Sequence, residues 1–296
     1  MHLSLLLVVL PLAGCTKIPQ ANPEFSDAVQ YLFQAFEAPP QDVAFAIREL
    51  EGQIYQGMDV ASKNVNDRAL APEVLTKADV KGIERPGRDL ANALPVAVAA
   101  LSPHGPDEHK RIHMLVDHTP VEPYSPEYYE RTFLEGADCW LDKSCEFLRV
   151  ENELTKENAL MTVDYWFPKD YRWVDLNLPD PADVPDGEEA VNTGEPRWAF
   201  IARSWTTEVF PGRKDNAEIQ QSYSIDIWVP RDGGGYTAGK GAEFETDSTG
   251  GGSLRMLCLW AETEFGLSVS DDMVSGTTRN GIDTNFRAAD EWLDEN

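Results

Sequence analysis

Three long runs, at residues 197–210, 219–230 and 254–265, limit what this chain can become. Each is rich in aromatic and β-branched side chains. Each stops at turn-forming residues: Pro211-Gly212, then Asp232-Gly233-Gly234-Gly235, then Gly266. In the middle run Ile219, Tyr223, Ile225, Ile227 and Val229 share one parity, while Gln220, Ser222, Ser224 and Asp226 share the other. A period of two marks a strand with one buried face. After the third run the period changes, and Met273, Ile282, Phe286, Ala289 and Leu293, with Trp292, gather on one helical face. The expected class is α+β: an antiparallel sheet of about six to seven strands closed by a long C-terminal helix.

The N-terminus bears on location. Residues 3–10 are apolar, and Pro11 and Leu12-Ala13-Gly14-Cys15 follow. The run is too short to span a bilayer and fits the core of a signal peptide. Leu12-Ala13-Gly14-Cys15 resembles the lipobox of bacterial lipoproteins, although only Met1 and His2 precede the apolar run, with no Lys or Arg. The resemblance implies cleavage before Cys15, acyl chains on that residue and attachment to the cell envelope. Thr16, standing where inner-membrane retention uses Asp, implies the outer membrane in a Gram-negative cell. The expected organisation is a signal peptide at 1–14, a lipidated tether at 15–25, a mostly helical extension at 26–105, and a sheet-plus-helix domain at 106–296. A net charge of -26, from 25 basic and 51 acidic residues, argues against nucleic acid and against an electrostatic hold on anionic lipid. The acyl chains on Cys15 are the expected membrane link.

Helical spacing predicts helices over 27–37 and 41–55, separated by Pro39-Pro40. Residues 91–101 are short and apolar, which suits a strand or a helix. Four histidines fall at 104–118, and a strand through 110–118 puts His113 and Asp117, with His109 just before it, on one face. Imidazoles with a carboxylate suit zinc or copper, but Arg111 stands between them and repels a cation, so a polar strand face is preferred. Residues 125–134 read as helical, with Ser125 as cap and Pro126 in the first turn. In an oxidising compartment Cys139 and Cys145 pair as a disulfide, and their spacing is not that of a Cys-x-x-Cys redox centre. Cys258 is left as a buried thiol.

Strands are expected over 146–154, 159–167 and 171–178, with a reversal at Pro168-Lys169-Asp170. The acidic stretch at 180–189 lacks EF-hand spacing and reads as a solvated loop in preference to a calcium site. Gly234, Gly239 and Lys240 have phosphate-loop spacing. Gly241 replaces the required hydroxyl, however, and strands flank the segment on both sides, so no nucleotide site is expected.

From about residue 110 the order of strand, helical segment, six strands and long helix is similar to the helix-grip fold of the START and polyketide-cyclase-like superfamily. The resemblance implies a curved sheet wrapping the last helix, with a lipid or other apolar ligand held between them. Trp173, Arg203, Trp205, Tyr223, Trp228, Trp260 and Phe286 are the ligand-binding candidates, with aromatic rings for an apolar body and polar groups for a head. Two rival readings are an interaction lipoprotein with a filled core and acidic surface, and a hydrolase using Glu208 and Glu262. No Gly-x-Ser-x-Gly elbow is present. No catalytic residue, cofactor or metal is assigned.

Overall fold

The computed structural model describes residues 17–158, 161–185, 188–213, 217–231, 252–266 and 268–296. Cys15 and the segment from Gly234 to Lys240 lie outside the described residues. Two helices come first, α1 (Pro23–Gln34) and α2 (Pro40–Gly57), each with proline in its first turn. The Asn22 side chain caps α1 by accepting from the Phe25 N–H at 2.7 Å. Next come β1 (Ala69–Leu70), β2 (Leu94–Ser102), α3 (Pro106–Ile112), β3 (Tyr129–Glu135), β4 (Phe147–Glu157) and β5 (Thr162–Asp175). The chain ends with β6 (Trp198–Trp205), β7 (Phe210–Pro211), β8 (Ala217–Pro230), β9 (Ser253–Phe265) and α4 (Asp271–Glu295). All nine strands form one antiparallel sheet in the order β1-β2-β9-β8-β6-β5-β4-β3, with β7 paired to β8. The α+β class and the long C-terminal helix are as expected, and the sheet is larger than expected. Of its unexpected members, β1 and β2 come from the stretch 26–105, β3 from 125–135, and β7 is a two-residue strand at Phe210–Pro211.

Three expectations fail locally. The histidine window folds as α3, not as a strand. Pro106 opens the helix, Glu108 accepts from the Gly105 N–H at 2.8 Å, and the acidic-then-basic order Asp107, Glu108, Lys110, Arg111 complements the helix dipole. Residues 125–134 contribute β3, not a helix. Tyr129 and Arg131 are buried while Glu130 and Thr132 face solvent, so the true period there is two. Pro168 does not reverse the chain, because β5 runs straight through it. That proline stands opposite Glu151 and one residue short of the β5–β6 ladder that starts at Lys169, a position where a missing N–H is tolerated.

Helices cover both faces of the sheet. α1 and α2 lie on one face, where Phe33 meets Tyr223 and Trp260 edge-on at 6.0 Å from each. Two strand arginines finish this contact. Arg203 donates to the Phe33 carbonyl at 3.3 Å and Arg172 to the Phe36 carbonyl at 2.6 Å, supplying the donors that the end of α1 lacks. α4 lies on the other face, and its C-terminal half is pinned there. Asp290 accepts from Ser102 at 2.6 Å and from Arg255 at 2.7 Å, and Arg255 also lies over the Phe286 ring. Cys139 and Cys145 are bonded in the loop after β3, and Cys258 is a buried free thiol. Gly136 opens that loop with a φ of 81°. A Cβ there would lie 2.1 Å from the Phe147 carbonyl oxygen, so only glycine fits.

Candidate ligand-binding site

The N-terminal half of α4 carries Thr277, Thr278 and Gly281 where its C-terminal half carries Phe286 and Leu293. Small side chains do not reach the sheet, and a cavity of about 260 Å³ remains between this half-helix and the strands. β9 supplies Leu257, Leu259, Ala261 and Phe265 as one wall, and β5 supplies Tyr165 and Phe167. A bulge in β8 between Ile219 and Gln221 shifts the strand's parity. Ile219 thereby turns to the cavity, although its spacing from Tyr223 places it on the other face.

The rest of the lining carries many polar groups. Lys169 of β5 is ion-paired with Asp226 of β8, whose side chain is 3% exposed. Burial works against the Lys169 charge, but the Asp226 carboxylate outweighs it, and the ammonium is held above its ordinary pKa. Ser204 Oγ and Ser224 Oγ stand 2.8 Å apart on neighbouring strands. At one side Glu122 pairs with Lys156 at 3.5 Å and accepts from Asn285 Nδ2 of α4 at 2.7 Å. The arrangement can hold an apolar body against β9 and offer hydroxyls to a polar end.

The seven candidates from sequence scatter. Trp205 borders the cavity, but its ring packs on the opposite face against the α1 core and under Arg203. Trp173 and Trp228 belong to a separate aromatic cluster on the α4 face, stacked around Phe200 with Trp140 and His113. Tyr223 and Trp260 pack on the opposite face against α1, and Arg203 lies there too, between Asp170 and the Phe36 ring. Phe286 sits beyond the cavity, against Val96 and Val98 of β2. Reading missed Lys169, Asp226, Ser204 and Ser224 because a polar parity suggests a solvent-facing side. One signal was present: Trp228 shares the parity of Ser224 and Asp226, and a tryptophan on a supposedly wet face indicates that something covers it.

The other candidate chemistry does not assemble. His109 is buried against Ser102 at 2.9 Å, while His113 lies among aromatic rings. Among the described residues no group of three or more His, Cys, Asp or Glu is placed to hold a metal ion. Glu262 is held by Gln221, Asn92 and Arg88 on the α1 side, and Glu208 is exposed beyond β6, so the two do not share a cleft.

No protein-family model matches the sequence, and no curated protein matches it. Among solved structures, the chain is similar to a STAR-related lipid transfer protein from Xanthomonas axonopodis at 10% identity and a TM-score of 0.39, over 76% of this chain and 92% of that one. It is similar to an aromatase/cyclase from Streptomyces sp. R1128 at 11% identity and a TM-score of 0.35, over 68% of this chain and 93% of that one. A human lipid transfer and protein localization domain matches at 8% identity and a TM-score of 0.35, over 83% and 95%.

Proposed function

We propose that this protein is an exported, lipid-anchored carrier or receptor that binds a lipid or other apolar small molecule between its sheet and its last helix. The cavity of about 260 Å³ carries the reading. Its β9 wall is mainly aliphatic and aromatic, hydroxyls and two ion pairs line the rest, and it lies under the small side chains of the N-terminal half of α4. Such a concave, mostly apolar site is the usual form of a small-molecule pocket. Removing a ligand's methylenes from water favours binding by about 0.8 kcal/mol each.

Uptake is read in two ways. Native mass spectrometry of the chain from Lys17 onward, extracted with cell lipids, is expected to find a copurified apolar molecule. Titration with single-chain lipids is expected to change the tryptophan fluorescence. A bare protein and unchanged fluorescence would overturn the binding reading in favour of an interaction protein with a filled core. Anchoring rests on Leu12-Ala13-Gly14-Cys15. Among the described residues no helix is long and apolar enough to cross a membrane. Labelled palmitate is expected to enter the wild-type protein and not the Cys15→Ala variant; absence of label from both would end the anchoring claim.

A further inference from the structure

We infer that the cavity selects a neutral amphiphile, one whose polar end is a hydroxyl or carbonyl group, and discriminates against carboxylates and ammonium ions. This rests on the binding reading above and concerns the chemistry of the same cavity. Among the described residues three charged side chains line it, Glu122, Lys156 and Lys169, and each already has an opposite charge. Lys169 is paired with Asp226, which is almost wholly buried behind it. Lys156 is paired with Glu122 at 3.5 Å, and Asn285 donates to the same Glu122 oxygen. Both lysines also lie against aromatic rings, Lys156 over Tyr124 and Lys169 over Tyr171, each at 5.4 Å.

A ligand carboxylate seeking a cation here must therefore draw Lys169 from Asp226 or Lys156 from Glu122. The first exchange strands a buried carboxylate, and the loss of one member of a buried pair is strongly unfavourable. A ligand ammonium has the mirror-image problem, because a carboxylate that turned to it would leave a lysine behind. An uncharged ligand disturbs neither pair. Ser204 and Ser224 suit it, because two hydroxyls sharing one hydrogen bond keep further lone pairs for a ligand that donates. Thr277 and Thr278 add hydroxyls from the α4 side.

The test uses the full chain, stripped of lipid, and three probes of equal chain length: decanol, decanoate and decylammonium, titrated calorimetrically at pH 8. Decanol is expected to bind at least tenfold more tightly than either ion. In the Asp226→Asn variant Lys169 loses its partner, and decanoate affinity is expected to rise at least tenfold. Replacing Ser204 and Ser224 together by alanine is expected to weaken decanol about fivefold, the loss of a single hydrogen bond. Decanoate or decylammonium binding the wild-type protein as well as decanol would overturn the neutral-ligand inference and leave the binding reading standing. Failure of all three to bind would remove both. The wild-type comparison decides the matter even if Asp226→Asn does not fold.

Discussion

Neighbouring residues on β9 look in opposite directions. Cys258 and Trp260 are fully buried in the core that α1 and α2 complete, whereas Leu257 and Leu259 border the cavity under α4. One backbone thus carries two kinds of surface. On the α1 side large rings from helix and strand interlock, and largely buried charges hold the helices, with Arg203 on the Phe33 carbonyl, Arg172 on the Phe36 carbonyl just past α1, and Arg197 on Glu51. On the α4 side Asp226, Arg131 and three histidines are buried among the strands and their cover, and Lys169 reaches Asp226 from a partly buried position beside the cavity. The filled face turns its charges onto the helices that fill it, whereas the cavity pairs its charges with one another, Lys169 with Asp226 and Lys156 with Glu122. The difference teaches that close packing and an open cavity can be divided between the two sides of a single sheet.

The largest effect that would test this contrast is on the packed side. Phe33→Ala removes a ring that contacts Tyr223 and Trp260, and is expected to cost about 3–5 kcal/mol, read by denaturant unfolding. The same measurement made against pH probes the other face. Burial is the first cause holding the pKa values of His109, His113 and His118 well below their ordinary value. The charges of Arg255 and His104 add to it at His109, and those of Arg131 and Lys169 at His113 and His118, while Asp290 lies 3.8 Å from His109.

Because the folded pKa values are depressed, the unfolded chain takes up protons first as pH falls through about 6.5. Stability is therefore expected to be intact above that pH and to decline below it, by up to about 1.4 kcal/mol per pH unit for each histidine. A flat stability between pH 7.5 and 5.5 would mean that the interior of the α4 face is wet. The smallest effect is expected for Leu259→Ala at the cavity wall, about 2 kcal/mol or less, since this side chain is only partly buried and borders space already empty. If Leu259→Ala cost as much as Phe33→Ala, the two faces would not differ in the way described.

Much of this architecture could be read from residue order, and the reason is local. The parity of β8, the aromatic runs of β6 and β9, the capping Ser270 before α4 and the short Cys139–Cys145 spacing are signals carried within single segments. The errors arose where a partner elsewhere in the chain decided the outcome. Residues 129–135 form a strand because β4 offers a ladder. Pro168 stays in a strand because of where β6 begins, and the aromatic excess proved to belong to three separate packings. The candidate site was the least legible part. Lys169, Ser204 and Ser224 stand on three strands, and a bulge re-aims Ile219 beside them. No stretch of sequence shows that they meet.

The pairing of β2 with β9 has a consequence for how the molecule comes into being. Leu94–Ser102 lies beside Ser253–Phe265, and Ser102 meets Ser253 across half the length of the chain. Before β9 is available, β2 has only the two residues of β1 to pair with. The residues of β8 and β9 on which α1 and α2 rest arrive late as well. Contacts between such remote segments carry a large closure entropy and form slowly. The early part of the chain therefore cannot settle until the last quarter joins it.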